Sequence, residues 1–551
     1  MNKEKVLPPL LIAVVSACLF IPLTGRVYLF DWDEVNFAES AREMIVTGDY
    51  LNVRINFESF WEKPPLFIWF QVVSMKIFGI NEFAARFPNA ICGIITLLAL
   101  FFLGKRLYNT RFAMLWTLTY AGSLLPFFYF KSGIIDPWFN LFTFLCIVYW
   151  VFAIENKIQS GKYLYCFLSA LFLGLAVLTK GPVSILIFGL LALTLTLLNG
   201  FRIGLNWKQI SLFIVSLAIV GGFWFLLQIF SGNYDVIHDF IVYQIRLFKT
   251  QDAGHGGFPL YHFIILLLGV FPASIFAIQG HKYHGVRDLR KFFHASMIAL
   301  LWIVLLLFSI VKTKIVHYSS LTYFPITYLA AYAGYNIIEK KFRFRTWQKI
   351  LLGIIGFVWG IIVILLPWLY RGRNYFIDKG YITDAFVIGN LQAETGWKPV
   401  ISLIGLLLLS GIVISFILSR RNQLQSLIIL YGTTLLFVFL SILFITPGAE
   451  KISQHAAIEF IKEKAGKDVY VKTFYKSFAP IFYSRQKPPD DIRIFDLEWL
   501  INGDIDKDVY FIHKIHKKEE VLKRYPGLKF LYEKNGYVFF IRKANSLTNE
   551  K

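Results

Sequence analysis

Acidic residues are concentrated in one polar stretch, residues 26–82, which follows the first apolar run of the chain. Its charged residues include Asp31, Asp33, Glu34, Glu39, Arg42, Glu43, Glu58, Glu62 and Lys63. Carboxylates of this kind can take the proton of a hydroxyl nucleophile or orient a sugar. The alternative is a solvated amphipathic helix, because apolar residues recur at helical spacing over residues 33–45. Taken alone, the stretch leaves both interpretations open.

Further ionisable residues stand at the ends of apolar runs. They are Asp136 before Pro137, Lys180 in Thr-Lys-Gly-Pro, and Lys312 and Lys314 before His317-Tyr318. Charge at membrane depth is costly and marks a functional hypothesis by default, although a single lysine can also extend to the headgroups. Together these residues predict a cavity with carboxylates at its top and cations below. Cations hold a phosphate and carboxylates activate a hydroxyl, which indicates group transfer from a lipid-phosphate carrier.

The composition excludes a large soluble enzyme. The chain has 551 residues, of which 56% are hydrophobic and 17% charged, whereas soluble domains are about half apolar and a quarter charged. Its net charge of +21 does not indicate a nucleic-acid partner, because the Lys and Arg residues cluster in short loops between apolar runs. All four cysteines lie inside those runs, which favours buried small hydrophobes over disulfides or zinc ligands.

Apolar runs of membrane-spanning length predict about thirteen transmembrane helices. The predicted spans are 6–25, 83–104, 112–130, 134–154, 163–179, 181–199, 210–230, 259–280, 292–311, 318–338, 349–370, 399–419 and 424–446. With a cytoplasmic N-terminus, every inner loop is short and basic, as the positive-inside rule requires. The longer stretches 26–82, 231–257 and 371–398 then lie outside, as does the C-terminal tail.

Two domains are expected. Residues 1–446 form an all-α polytopic membrane domain that includes the candidate catalytic stretch 26–82. Residues 447–551 are far more polar and predict a small soluble α/β domain: helix 452–464, strands 468–473 and 509–513, helix 517–524, and a hairpin at 528–542 with Asn-Gly at its turn. This second domain is expected to support the membrane domain or to dock an acceptor.

The ordered motifs resemble those of membrane glycosyltransferases of the protein O-mannosyltransferase and lipid A aminoarabinose transferase superfamily, which have the C-type glycosyltransferase fold. The resemblance lies in Asp33-Glu34-Val-Asn-Phe-Ala-Glu-Ser-Ala-Arg-Glu, Trp61-Glu-Lys-Pro-Pro65, Asp136, Thr179-Lys-Gly-Pro182 and Lys314-Ile-Val-His-Tyr318. It covers roughly residues 6–340. It implies a polyprenyl-phosphate sugar donor in a bacterial inner membrane, inversion at the anomeric carbon, and an active site on the periplasmic side.

The resemblance also implies roles for individual residues. Asp33, Glu34 and Asp136 would be the catalytic acids. The donor phosphate would be held by Lys63, Lys180, Arg246, Lys314 and Tyr318. Glu62 would lie near the sugar or a bound divalent cation, and no other residue spacing calls for a metal.

Some positions depart from the pattern of aminoarabinose transferases. Asn36 stands where an arginine is usual, and Gln244 in Tyr243-Gln-Ile-Arg246 stands where a histidine is usual. His255 follows in a glycine-rich stretch and could contact the sugar or the acceptor, or could be a turn residue. These changes put both the aminoarabinose sugar and the lipid A acceptor in question.

Several alternatives remain beside transfer to a lipid A-like glycolipid. The same chemistry could serve a protein or a surface glycan. A transporter or flippase also needs charges inside the membrane, but such proteins often carry internal repeats with sites at mid-membrane, and none stands out here. A binding protein with a degenerate cavity is a further possibility.

Overall fold

The computed structural model describes residues 3–201, 204–249, 256–283, 288–489 and 491–544. Within these ranges, eight helices are long and apolar enough to cross a membrane, or nine if one bent pair counts as a span. The eight are Glu82–Leu107, Asp136–Glu155, Gln159–Lys180, Trp207–Phe230, Leu289–Ile310, Thr346–Arg371, Pro399–Leu418 and Gln423–Lys451. The protein is therefore a multi-pass membrane protein, as its composition predicts.

Helices α1 to α21 precede the C-terminal sheet. They are α1 Lys3–Phe20, α2 Asp33–Thr47, α3 Leu66–Phe78, α4 Glu82–Leu107, α5 Thr110–Ala121, α6 Leu124–Tyr129, α7 Asp136–Glu155, α8 Gln159–Lys180, α9 Val183–Leu198, α10 Trp207–Phe230, α11 Tyr234–Lys249, α12 Tyr261–Gly269, α13 Ala273–Gly280, α14 Leu289–Ile310, α15 Tyr323–Ile338, α16 Thr346–Arg371, α17 Arg373–Asp378, α18 Ala385–Leu391, α19 Ser402–Leu418, α20 Gln423–Phe444 and α21 Thr446–Lys451. Two short 3-10 helices, Val316–Thr322 and Pro399–Ile401, and a small hairpin of β1 Arg54–Ile55 and β2 Glu58–Ser59 complete this part.

The other five predicted spans are short or interrupted. The apolar parts of α1 and α9 have fewer than 18 residues, and a break at Gly122-Ser123 separates α5 from α6. Helices α12 and α13 meet at 110°, where Pro272 begins a new helix because proline cannot continue the preceding hydrogen-bond ladder. A 3-10 turn precedes the 16 residues of α15. The structure thus supports many membrane helices without fixing the number at thirteen.

Helix α2 forms as predicted, but it is packed inside the protein instead of lying in solvent. Every side chain from Glu34 to Met44 is buried. The helix ends at Gly48, whose positive φ of 73° lets its N–H reach the carbonyl of Met44. The acid-rich stretch is therefore a packed part of the protein, and a solvated amphipathic helix is the wrong interpretation.

The C-terminal part forms the predicted small α/β unit. Its elements are α22 His455–Lys462, β3 Tyr470–Thr473, α23 Ala479–Ser484, α24 Leu497–Asn502, β4 Val509–Lys514, α25 Lys518–Arg524, β5 Lys529–Lys534 and β6 Tyr537–Arg542, with further 3-10 turns at Ile492–Phe495 and Ile515–Lys517. The strand order is β3-β4-β6-β5, with β3 parallel to β4 and the other pairs antiparallel. Asn535 and Gly536 both have positive φ, as a tight hairpin turn requires.

The sheet packs on both faces because side chains alternate along each strand. On one face, Phe539 stacks on Phe460 of α22 at 4.2 Å and joins the main hydrophobic core. On the other face, Val538 and Phe540 form a separate small core with Leu500 of α24. The first face attaches this sheet to the rest of the protein.

Candidate active site

A cavity of about 610 Å³ brings together most of the predicted site residues. Five elements supply them: the start of α2, the turn before α3, the start of α7, the end of α8 and the 3-10 turn before α15. The predicted residues that line it are Asp33, Glu62, Lys63, Asp136, Lys180 and Tyr318. Carboxylates and ammonium groups therefore line one cavity, as the sequence predicts.

The central pair is Asp136 with Lys180. The Lys180 Nζ lies 2.6 Å from Asp136 Oδ1, and the two side chains are 15% and 3% exposed. Asp136 begins α7 and Lys180 ends α8, so each charge has the sign that its helix terminus favours. Nearly all of α7 is buried, so Asp136 begins a helix that packs inside the protein. The Nζ also lies 5.4 Å from the Tyr318 ring centre, so it has an aromatic neighbour for its cation.

His317 joins the two acids of the cavity. Its Nε2 lies 3.8 Å from Asp33 Oδ2 and 4.0 Å from Asp136 Oδ2. The Asp33 side chain is 40% exposed, so its carboxylate is open to the cavity. No role was predicted for His317, although it lies in the motif that ends at Tyr318, and a histidine in that position was the available signal.

The turn before α3 forms another wall of the cavity. Tyr243 of α11 donates its hydroxyl to Glu62 Oε2 at 3.0 Å, and the Lys63 Nζ lies 5.2 Å from the Tyr243 ring centre. Burial lowers the pKa of Lys63, and the neighbouring Glu62 partly offsets this effect. Gln244, at the position of the unusual substitution, donates to the backbone carbonyl of Glu62 at 3.5 Å. Helix α11 thus holds the Glu62-Lys63 pair against the cavity.

Two predicted site residues have structural partners instead. Both oxygens of Glu34 bind the Arg86 guanidinium, at 2.9 and 2.6 Å, and Glu34 also accepts from the backbone of Phe30 and Gly133. With so many donors on a buried carboxylate, Glu34 anchors the chain and is not placed as a catalytic acid. The Lys314 Nζ donates to the carbonyls of Phe308, Ser309 and Val311 at the end of α14. It caps that helix and lies outside the lining of the cavity.

Two further predictions are not placed at the cavity. The Arg246 side chain is exposed and does not line the cavity, although its guanidinium lies 5.2 Å from the ring centre of Tyr243, which does. His255 lies outside the described residues, so its predicted role stays a prediction.

Comparison with known proteins gives independent support. Residues 62–224 match the family model described as dolichyl-phosphate-mannose-protein mannosyltransferase. The resemblance inferred from the motifs is confirmed. An undecaprenyl phosphate-alpha-4-amino-4-deoxy-L-arabinose arabinosyl transferase of Pectobacterium atrosepticum is 26% identical over 75% of this chain and 77% of its own length. The enzyme of the same name from Edwardsiella ictaluri is 28% identical over 65% of each chain.

The fold matches that of a solved structure. The crystal structure of ArnT from Cupriavidus metallidurans bound to undecaprenyl phosphate superposes with a TM-score of 0.76, at 18% identity and with 98% of both chains covered. Its apo form gives a TM-score of 0.74 over 97% of both chains. The likeness extends through the C-terminal sheet, so the whole described architecture is ArnT-like.

The C-terminal unit also supplies a cavity residue that sequence reasoning missed. Lys476 follows β3 and lines the cavity, and its Nζ lies 4.3 Å from the Trp32 ring centre. Phe478 packs on the same indole at 5.2 Å. Nothing in the local sequence marks Lys476, because its role depends on a contact across more than 400 residues of chain.

A metal site is not assembled around Glu62. Among the residues that the structure describes, no group of three or more His, Cys, Asp or Glu side chains is arranged to hold a metal ion. The donors near Glu62 are a tyrosine hydroxyl and a lysine, which do not form a hard-cation site.

Proposed function

We propose that this protein is an inverting glycosyltransferase that moves a sugar from a polyprenyl phosphate to a hydroxyl or phosphoryl oxygen of a lipid A-like glycolipid. The observation that carries the proposal is the single cavity in which Asp33 is open to substrate beside His317, Asp136 and Lys180. Support comes from relatives named for transfer from undecaprenyl phosphate and from a solved relative bound to that lipid.

Each group has a role in direct displacement. Asp33 accepts the proton of the acceptor when the acceptor is a hydroxyl, or orients the acceptor when it is already ionised. The acceptor oxygen then bonds to the anomeric carbon while the carbon–oxygen bond to the carrier phosphate breaks. The phosphate leaves with the electron pair of that bond.

The phosphate needs cations as its charge develops. Lys180 has three N–H donors and uses one on Asp136, so the others can reach a phosphate oxygen. Lys63 is another cation that lines the cavity, and Tyr318 supplies a hydroxyl donor beside Lys180. Asp136 and His317 position this group of donors and carry no covalent step.

We also propose the finer topology given by the charge pattern. Residues 1–446 would form the membrane domain, with thirteen spans in the inner membrane and a cytoplasmic N-terminus. The elements that line the cavity would then lie at the periplasmic face of this domain. Residues 447–551 would form a separate domain on the same side. The ends of α7 and α8 that carry Asp136 and Lys180 meet at the same end of the helix bundle, which supports a one-sided active site. A transporter would instead need access from both sides.

The test is transfer in liposomes with radiolabelled sugar on undecaprenyl phosphate. The acceptor arms are lipid A and an envelope protein extract, and wild type is compared with Asp33→Asn. Label that enters lipid A only with wild type supports the proposal. Label that enters protein instead supports the second acceptor class, and label that crosses the bilayer still attached to its carrier supports a flippase. An arm with a chelator of divalent cations tests metal dependence.

A further inference from the structure

Lys476 is a cation of the cavity that the proposed displacement does not use. It follows β3 in the C-terminal unit, and its side chain is exposed where it lines the cavity. Lys180, by contrast, is paired with Asp136. Among the residues that the structure describes, none forms an ion pair or a hydrogen bond with the Lys476 Nζ, which lies 4.3 Å from the Trp32 ring centre. All three of its N–H donors are therefore available to a ligand.

The indole of Trp32 is held in place by residues of two separate parts of the chain. With the Asn36 amide oriented to satisfy both of its partners, its oxygen accepts from the Trp32 Nε1 at 3.1 Å and its nitrogen donates to the Trp32 carbonyl at 3.0 Å. Phe478 of the C-terminal unit packs on the same indole at 5.2 Å. The cavity wall therefore has a fixed aromatic surface next to the Lys476 ammonium group.

Hydrogen bonds fix the C-terminal unit against the segment that precedes Trp32. Leu29 donates its N–H to the Tyr483 hydroxyl at 2.8 Å, and its carbonyl accepts from the Gln454 Nε2 at 2.8 Å. The Asp31 N–H donates to the Oε1 of the same glutamine at 3.3 Å. These bonds set the position of the C-terminal unit relative to the indole, so the lysine that follows β3 is held at the cavity wall.

A series of contacts gives the order of the charged groups in the cavity. Each residue contacts or adjoins the next in the order Lys180, Asp136, His317, Asp33, Trp32 and Lys476. In the proposed displacement, the carrier phosphate binds at Lys180 and the attacking oxygen lies at Asp33. The anomeric carbon lies between these two groups, so the rest of the sugar ring can extend toward the indole and Lys476.

The charge of Lys476 discriminates between classes of sugar. A carboxylate on the sugar would accept a charge-assisted hydrogen bond from the Nζ, whereas a neutral sugar would leave this cation without a charged partner. An amino sugar would place a second ammonium group beside it, and like charges at a binding site disfavour the wrong ligand. The electrostatics of this end of the cavity therefore favour an acidic sugar over an amino sugar.

Glu62 is the acid of the cavity that could bind an amino group instead. Its Oε2 already accepts from the Tyr243 hydroxyl at 3.0 Å, and its backbone carbonyl accepts from Gln244 at 3.5 Å. Its charge also acts on the neighbouring Lys63. The charge of Glu62 is thus offset within the cavity wall, which leaves Lys476 as the charge that a sugar can answer.

We infer that the transferred sugar carries a carboxylate, as a hexuronic acid does, and that Lys476 binds this carboxylate while the sugar ring packs on Trp32. This inference rests on the proposed function and names its class of donor sugar. Lys476 is then a specificity-determining residue that the C-terminal unit contributes to the membrane domain. The inferred sugar differs from the amino sugar in the names of the relatives.

The test compares three donors that differ only at carbon 6 of the sugar, with the full chain in nanodiscs. Each is undecaprenyl phosphate that carries a hexuronic acid, the corresponding hexose or the corresponding 6-amino-6-deoxyhexose, in both the gluco and the galacto series. Undecaprenyl phosphate without a sugar is the fourth probe. The variants are Lys476→Gln and Lys476→Glu. Lys523→Gln and Lys523→Glu, at an exposed lysine of α25 outside the cavity, are the matched controls.

We expect wild type to bind the hexuronic acid donor of one series about tenfold more tightly than the hexose donor, because of one charge-assisted hydrogen bond. The amino donor should bind more weakly still. Lys476→Gln should lose the preference for the acid and keep the affinity for the hexose donor. Lys476→Glu should bind the amino donor more tightly than the acid. The Lys523 variants should match wild type.

Three results would overturn the inference. The first is tighter binding of the amino donor than of the acid donor by wild type. The second is an unchanged preference in Lys476→Gln. The third is an equal loss of affinity for undecaprenyl phosphate and for all three donors in Lys476→Gln with a wild-type melting temperature, which would place this lysine at the carrier phosphate.

A parallel transfer assay separates this inference from the proposed function. A chain that binds the donors with the expected preference but transfers no sugar contradicts the proposed function and leaves the sugar assignment standing. A wild-type chain that transfers all three sugars with equal kcat/KM contradicts the sugar assignment alone.

Discussion

Two groups of charged residues lie close together in this protein and have different partners. In the buried group on α2, Glu34 binds Arg86 and Glu39 binds Arg42, each through both carboxylate oxygens at 2.6 to 2.9 Å. In the cavity, the nearest partner of Asp33 is His317 at 3.8 Å, and its side chain is 40% exposed. Asp33 and Glu34 are adjacent in one motif, yet only Glu34 has both carboxylate oxygens bound to an arginine. Asp33 is therefore the one whose carboxylate can act on a substrate.

Glu43 is a further buried acid of α2 that has a structural role. Burial and the nearby Glu39 raise its pKa to about 9, so the carboxyl is protonated at neutral pH. Its Oε2 accepts from the backbone of Phe57 and fixes the loop that leads to Glu62. The acids of α2 therefore position the first polar stretch, and Asp33 alone among them faces the cavity.

Removing the charge of Asp33 should have the largest effect. Asp33→Asn keeps the volume but cannot accept a proton, so we expect kcat to fall by about 10²–10⁴-fold, the usual contribution of a general base. The measurement is single-turnover transfer of labelled sugar, with thermal unfolding as a check on folding. Glu58→Gln, an exposed acid of the same stretch, is the matched control. Normal turnover by Asp33→Asn would remove its catalytic role.

Breaking the buried pair should affect folding rather than chemistry. Glu34→Gln leaves Arg86 buried without its partner, so we expect the free energy of unfolding to fall by about 3–5 kcal/mol. Molecules that remain folded should keep most of their turnover. A double-mutant cycle with Arg86→Met would isolate the pairwise term. Unchanged stability together with lost turnover would restore Glu34 as a catalytic acid.

Sequence reasoning located the site better than it assigned individual roles. Asp136 and Lys180 could be predicted because charge at the end of an apolar run is costly and needs a reason, and Asp33 because it begins the motif in the acid-rich stretch. Lys314 carries the first of these signals and Glu34 the second, but the end of α14 and Arg86 satisfy them, and neither partner is visible in a one-dimensional pattern. The helices of the bundle were predictable from hydropathy. Their breaks at Gly122-Ser123 and at Pro272 were not predicted.

The two lysines beside the cavity offer a smaller and more specific test. Lys180→Gln should weaken binding of undecaprenyl phosphate by about tenfold, because one charge-assisted hydrogen bond to phosphate is lost. Lys63→Gln should act in the same direction. Lys314→Gln should leave this affinity unchanged and lower the melting temperature, because it uncaps α14. Equal loss of affinity in Lys180→Gln and Lys314→Gln would mean that the cap also contacts the carrier.

The smallest effect should come from the contact between the C-terminal unit and the segment that leads to Asp33. His455 binds Glu450 at 2.8 Å and Glu459 at 3.0 Å and stacks on Tyr28 at 5.1 Å. The hydrogen bond to Glu450 raises the pKa of His455 above its ordinary value of 6.5. A raised pKa in the folded state means that the stabilisation is complete below pH 6.5 and is lost as the pH rises through the folded-state pKa.

Between pH 6 and pH 9, the melting temperature of wild type should therefore fall by about 1–2 °C more than that of His455→Gln. The matched control is His238→Gln, an exposed histidine of α11 outside the cavity. Parallel pH profiles for wild type and His455→Gln would show that the protonated imidazole does not hold this contact. A steeper loss of transfer than of stability in wild type would show instead that the C-terminal unit positions Asp33 through Tyr28.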